Sequence, residues 1–202
     1  IANIYNGLGY NNCAAENFEK ANEYYNKALI IFDRIKEPVY AGETLYNMAL
    51  NVMLTNEYKI ASQYLEQCLF ILKILKRDGF RICNISKLFG LLAICYYRMG
   101  KIYSSKMNLQ SSMQYLDHLY TTDVNAKGAD RYLWGDDLFL CHYNNALLLM
   151  EDEKYEEALN EFENAQEYIV ASPGFQFFSV TQYCIDKATL YRRMGREADA
   201  EQ

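Results

Sequence analysis

Histidine, cysteine and clustered carboxylates are the side chains most often recruited as nucleophiles, bases and metal ligands. This chain spaces them so that they supply none of these. Its cysteines are Cys13, Cys68, Cys83, Cys95, Cys141 and Cys184, with no CxxC pair, and its two histidines are His118 and His142. No zinc site can be assembled from those spacings. There is no GxSxG, no glycine-rich phosphate loop and no HExxH. The acidic run "EDEKYEE" at 151–157 falls at a predicted helix start, where carboxylates offset the positive end of the helix dipole. His142 falls in the bulky core register of its repeat, which favours packing over a ligand or base role. Catalysis needs convergent groups, so the expectation is a protein that is not an enzyme, with no cofactor and no metal.

The chemistry left over is that of amides and phenols. Tyrosine occurs 19 times, and aromatic residues make up 15% of the chain. A phenol suits a surface that is half packed and half wet. An asparagine side chain offers one acceptor and two donors, the complement of a peptide unit.

What positions these residues is a pattern that the chain repeats on itself. "NFEKANEYYNKAL" at 17–29 returns as "KYEEALNEFENAQ" at 154–166. The triplets are Ala21, Tyr25, Ala28; Ala61, Leu65, Cys68; a degenerate Ser105, Leu109, Ser112; and Ala158, Phe162, Ala165, with Ala200 opening a fifth. Twelve residues before each triplet lies another small residue: Gly9, Ala49, Ala93, Ala146 and Ala188. Between the two patterns sits a turn, "AAEN", "LTNE", "RMGK", "EDEK" or "RMGR". Spacings of three and four place residues on one helix face. Small residues let two helices approach at their crossing, and the large ones fill the space beside them. One such hairpin cannot bury both faces, so hairpins must stack. Helices are expected near 1–14, 17–36, 40–55, 57–77, 81–99, 101–119, 136–151, 154–170, 175–194 and from 197 onward, with almost no strand.

With 202 residues, 51% of them hydrophobic, and only two prolines, the chain can build an ample helical core. Its net charge of −6, with basic residues scattered singly or in pairs, argues against nucleic acid or an anionic membrane as partner. Cysteines on apolar helix faces act as small hydrophobes, which suggests a reducing, cytoplasmic setting. No signal peptide or membrane span is visible. The chain opens on Ile1 and stops inside its own pattern, as expected of a segment of a longer protein.

These registers resemble the tetratricopeptide repeat, with Tyr5, Leu8, Gly9, Ala21, Tyr25 and Ala28 in "YNGLGY…FEKANEYYNKAL" carrying the pattern. The resemblance implies an all-α, right-handed superhelix of about five hairpins. It forms a single solenoid domain over 1–202, with repeats near 1–38, 39–79, 81–120, 136–171 and 175–202. The standard repeat is about 34 residues, whereas here successive repeats lie 40, 44, 53 and 42 residues apart. The longest step holds a polar insertion, 121–137, which carries the only tryptophan, Trp134. A surface loop whose Trp134 packs back on the next helix is the expectation.

In this family the first helix of each hairpin lines a concave groove that binds peptides or partner proteins. The corresponding positions here are Asn6 and Tyr10; Tyr46, Asn47, Leu50 and Met53; Ile94 and Tyr97; and Tyr143, Asn144, Leu147 and Met150, with Ile185, Asp186, Thr189 and Arg192 in the fifth repeat. Asn47 and Asn144 share a register, and two roles are open to them: holding a peptide backbone, or bridging neighbouring helices. The carboxylate clamp of chaperone-binding members is not matched, since Tyr10, Gly90 and Ile94 stand where it needs charged or amide groups. Arg98, Arg192 and Arg193 remain to meet an acidic group. Long repeats and asparagine placement are also similar to the tetratricopeptide regulatory domains of bacterial peptide-pheromone sensors, the Rap and PlcR type. That implies the sensor part of a longer transcriptional regulator, binding a short peptide. The alternatives are a general interaction scaffold or homo-oligomerisation module, and a sensor segment attached to a signalling enzyme.

Overall fold

The computed structural model describes residues 1–80, 83–122, 135–171 and 177–200. The described residues form ten α-helices: α1 (Ala2–Ala14), α2 (Phe18–Arg34), α3 (Pro38–Leu54), α4 (Tyr58–Leu75), α5 (Ile85–Arg98), α6 (Ile102–Thr122), α7 (Gly135–Glu151), α8 (Tyr155–Ala171), α9 (Phe177–Arg193) and α10 (Glu197–Ala200). They include no strand; Gly79 and Asn84 make one isolated antiparallel bridge. The chain divides into two compact units, 1–88 and 89–202.

The same elbow closes every hairpin. Seven residues after each small residue, the backbone turns left-handed: Glu16 (φ 60), Asn56 (62), Gly100 (72), Glu153 (58) and Gly195 (72). The following amide then reaches back five residues, Asn17 to the Asn12 carbonyl, Glu57 to Val52, Lys101 to Tyr96, Lys154 to Leu149 and Arg196 to Tyr191, at 2.8–2.9 Å. A left-handed residue followed by this long-range bond satisfies carbonyls that the helix end would otherwise leave open.

In the first unit, α2 is held between α1 and α3. Ala28 and Phe32 pack with Ala2 and Ala41, and Ala21 and Tyr25 pack with Met48. Burying a side chain of that size stabilises by about 1.5–3 kcal/mol before entropy is counted. Pro38 stands in the first turn of α3, where a missing N–H costs nothing. Helix α5 starts at Ile85, not near 81 as the pattern predicts. Phe80 N–H bonds the Cys83 carbonyl, and Asn84 Oδ1 accepts the Lys87 N–H at 2.7 Å, so the backbone at Phe80 and Cys83 is engaged outside the helix that Asn84 caps. The Phe80 ring lies over Gly42, where a Cβ would meet it at 2.2 Å.

In the second unit, Ala93, Leu109, Leu116, Cys141 and Leu148 form one core cluster. Phe139, Tyr143, Phe162 and Tyr183 form an aromatic one, with centroids 5.4–6.3 Å apart. The degenerate triplet is fully packed. Ser105 is buried and donates to the Ala93 carbonyl at 2.9 Å, and Ser112 Oγ meets Cys141 Sγ at 3.7 Å. His142 is half-buried, stacks on Tyr168 and holds Glu161 Oε2 through Nδ1 at 2.7 Å. All but five residues of the predicted 121–137 loop lie outside the described residues, and Trp134 is one of those outside. Of the five, Thr121 and Thr122 extend α6, while Gly135, Asp136 and Asp137 belong to the first turn of α7.

Candidate binding surfaces on the first helices

The first helices of the hairpins are α1, α3, α5, α7 and α9. Helix α1 presents Tyr10 at 56% exposure, with Asn6 half-buried one turn away. Asn47 on α3 is also half-buried, and its Nδ2 donates to Asn6 Oδ1 at 3.3 Å. Asn6 Nδ2 and Asn47 Oδ1 have no partner among the described residues. Neither atom is buried. The pair therefore offers one donor and one acceptor, the two groups needed to hold one peptide unit.

The other positions expected on α3 are packed. Tyr46 is 1%, Leu50 8% and Met53 0% exposed, and they present almost no surface to a ligand in this conformation. The amide that ties α3 to α2 is one the register does not single out. Asn51 is fully buried and donates to the Phe18 carbonyl at 3.0 Å and to Asn22 Oδ1 at 2.9 Å. Its counterparts two residues after the small residue are Asn11, Cys95, Leu148 and Leu190, so no repeated signal marks it.

In the second unit Asn144 bridges helices. It is 1% exposed and donates through Nδ2 to the Gly90 carbonyl of α5 at 3.1 Å and to the Leu140 carbonyl of its own helix at 2.7 Å. Gly90 permits the approach, since a Cβ there would sit 3.0 Å from Leu140. Asn47 and Asn144 thus share a register and differ in role: one amide pair is open, whereas the Asn144 NH2 is spent on a carbonyl of α5 and one of its own helix. Ile94, Tyr143, Leu147 and Met150 are likewise buried. Tyr97 is half-buried and donates to Glu151 Oε1 at 3.0 Å.

A charged cluster links α5, α7 and α9. Arg98 and the Tyr143 hydroxyl both bond Asp186 Oδ2, and Arg98 Nη2 reaches the Tyr143 oxygen at 3.1 Å. The Arg98 and Asp186 side chains are only 18% and 9% exposed. The acidic group that Arg98 meets is therefore the chain's own. Burial holds the Tyr143 phenol well above its usual pKa, and the neighbouring Asp186 charge adds to the effect, so the hydroxyl stays protonated as the donor. Arg193 reaches Glu151 at 3.6 Å and the Met150 carbonyl at 3.3 Å. Arg192 is exposed. Among the described residues no group of three His, Cys, Asp or Glu could hold a metal ion, and no helix is long and apolar enough to cross a membrane. None of the described cysteines is in a disulfide; Cys68, Cys83, Cys95 and Cys141 are buried, Cys13 is half-buried and Cys184 exposed.

Helical hairpins repeated in one register, with a shared elbow and small residues at the crossing, define an all-α helical-repeat fold of the tetratricopeptide type. Sequence comparison agrees over the first unit: residues 1–73 match the family profile described as tetratricopeptide repeat. Repeats of this family generally mediate protein–protein interaction. No curated protein sequence matches the chain. Among solved structures, BtubC (BKLC) from P. vanneervenii is similar with a TM-score of 0.61 at 14% identity, over 96% of this chain and 73% of that one. The TPR2AB domain of yeast Sti1, solved in complex with pHSP90, aligns with a TM-score of 0.45 at 19% identity, over 98% of this chain and 86% of that one.

Proposed function

We propose that the chain is a peptide- or protein-binding regulatory module, and that the first helices of its first unit take an extended segment of the partner. The observation that carries this reading is the Asn6–Asn47 pair, whose Asn6 NH2 and Asn47 oxygen have no partner among the described residues. Tyr10 beside it supplies a broad, half-wet contact. The buried positions Tyr46, Leu50 and Met53 act as support that fixes α3. In the second unit Tyr97 is the accessible member of the set, while Ile94, Tyr143, Asn144, Leu147 and Met150 serve the packing of the helices.

The finer reading is that this module is the sensor part of a longer bacterial transcriptional regulator in the cytoplasm. Repeat steps of 40–53 residues support it, as does the placement of asparagine on first helices.

The test uses the whole chain, immobilised, and a random library of short linear peptides. Retained peptides are resynthesised and titrated calorimetrically. Asn6→Ala and Asn47→Ala are each expected to weaken binding about fivefold, the worth of one hydrogen bond near 1 kcal/mol. Unchanged affinity in both variants refutes the amide role.

A further inference from the structure

The first helices of the two units differ in charge, and the difference bears on what the first unit can bind. Helices α1 and α3 together hold a single charged residue, Glu43, which is 4% exposed. Around the Asn6–Asn47 pair, α1 shows the solvent only amide, phenol and aliphatic groups: Asn3, Tyr10 and Asn11 are exposed. By contrast the second unit's part of α5, with α7 and α9, carries Arg98, Asp136, Asp137, Glu151, Asp186, Lys187, Arg192 and Arg193.

We infer that the segment held on α1 and α3 is uncharged: the ligand side chains that lie on this surface are apolar or neutral and polar. The inference rests on the peptide-binding reading of the same site and names its ligand class. An ionised side chain pressed against these helices gives up hydration and finds no opposite charge in return. A neutral amide or hydroxyl gives up less and meets asparagines and tyrosine. An acidic tail, or a chain ending in a free carboxylate, is excluded from this surface by the same argument. Two further properties follow. Binding here is insensitive to salt, because no ion pair is screened. Association runs at the ordinary rate of unsteered docking, because no field draws the ligand in.

The test is a random hexapeptide library, acetylated and amidated at its ends, passed over the immobilised full-length chain. It is run at low salt and again at about 0.5 M, where the Debye length falls to a few ångströms. The retained pool is expected to be depleted severalfold in Asp, Glu, Lys and Arg, to be retained equally at both salt concentrations, and to be lost with Asn6→Ala plus Asn47→Ala. Tyr10→Lys gives a second, independent readout at an exposed position. That variant should now enrich acidic residues and acquire a salt dependence. A pool that depends on the asparagines yet is rich in Asp or Glu, or weakens with salt, overturns the inference and leaves peptide binding standing. A pool that does not depend on the asparagines overturns the peptide-binding reading itself, and the ligand class with it.

Discussion

Gly9 is the only glycine among the five small residues at the helix crossings, and replacing it by alanine sets two effects against each other. Alanine in a helix interior is favoured over glycine by about 1 kcal/mol. A Cβ at position 9, however, would sit 2.6 Å from Cδ1 and Cε1 of Tyr25 and 3.0 Å from its Cγ. Contact at Cγ matters most: it lies near the root of the side chain, so a small rotation of the ring does not remove the clash. Tyr25 is 1% exposed, packed among Ala21 and Met48, and has no room to retreat. Overpacking of this kind costs about 1–3 kcal/mol. The clash therefore wins, and Gly9→Ala is expected to destabilise the first unit by about 1 kcal/mol. The internal repeats supply the control. The same register pairs Ala49 with Leu65, Ala93 with Leu109 and Ala146 with Phe162, all of them buried, so alanine is accommodated opposite leucine and opposite phenylalanine, and the clash at position 9 belongs to the placement of the Tyr25 ring. Gly9→Ala combined with Tyr25→Leu should then cost less than the sum of the two single changes, with a coupling of about 1 kcal/mol. Urea unfolding followed by circular dichroism gives the free energies. Amide exchange in α1 and α2 confirms that the change lies in this unit, since two units need not unfold together. A Gly9→Ala variant more stable than the parent, or an additive cycle, refutes the reasoning.

Asp186→Asn removes the charge that Arg98 and the Tyr143 hydroxyl share while keeping the shape. The second unit is expected to lose about 2 kcal/mol, below the cost of breaking a fully buried pair because Arg98 keeps some solvent contact; a loss under about 0.5 kcal/mol in thermal or urea unfolding would show the cluster to be idle. The cysteines should separate by accessibility and by pKa. Burial pushes the Cys68 thiol up to about 12 and that of Cys141 to about 11, so at pH 8 neither is a thiolate. At pH 8 the exposed Cys184 should be alkylated while those two stay unlabelled by mass spectrometry, whereas early labelling of Cys68 would contradict its packing against the Gly42 carbonyl.

The repeat was readable because it is written twice, once as a lone small residue and once as a small–bulky–small triplet, at an offset that never changes. Every elbow follows from that offset, including those where Glu16, Asn56 and Glu153 rather than glycine take the left-handed turn. The start of α5 was not readable, because Phe80 and Cys83 continue an apolar period while their backbones bond each other outside the helix. The first helices were assigned correctly, but register gives a direction and not a depth. Tyr46 and Met53 stand in the register expected of the groove and are buried all the same. Asn47 and Asn144 show the limit most plainly. Their fates differ because Gly90 exposes a carbonyl to Asn144, whereas the helix next to Asn47 offers another asparagine. Which acid Arg98 would find was equally beyond the pattern, since 88 residues of chain separate it from Asp186.

The constant elbow confines length variation to one edge of each hairpin. Within a hairpin the two small residues stay twelve apart in all five cases, while hairpin-to-hairpin spacing ranges from 40 to 53. Growth has therefore been admitted only where a second helix hands over to the next first helix, as between α4 and α5. Labels, linkers or whole inserted domains belong at those handovers, and the elbows are the joints to leave untouched.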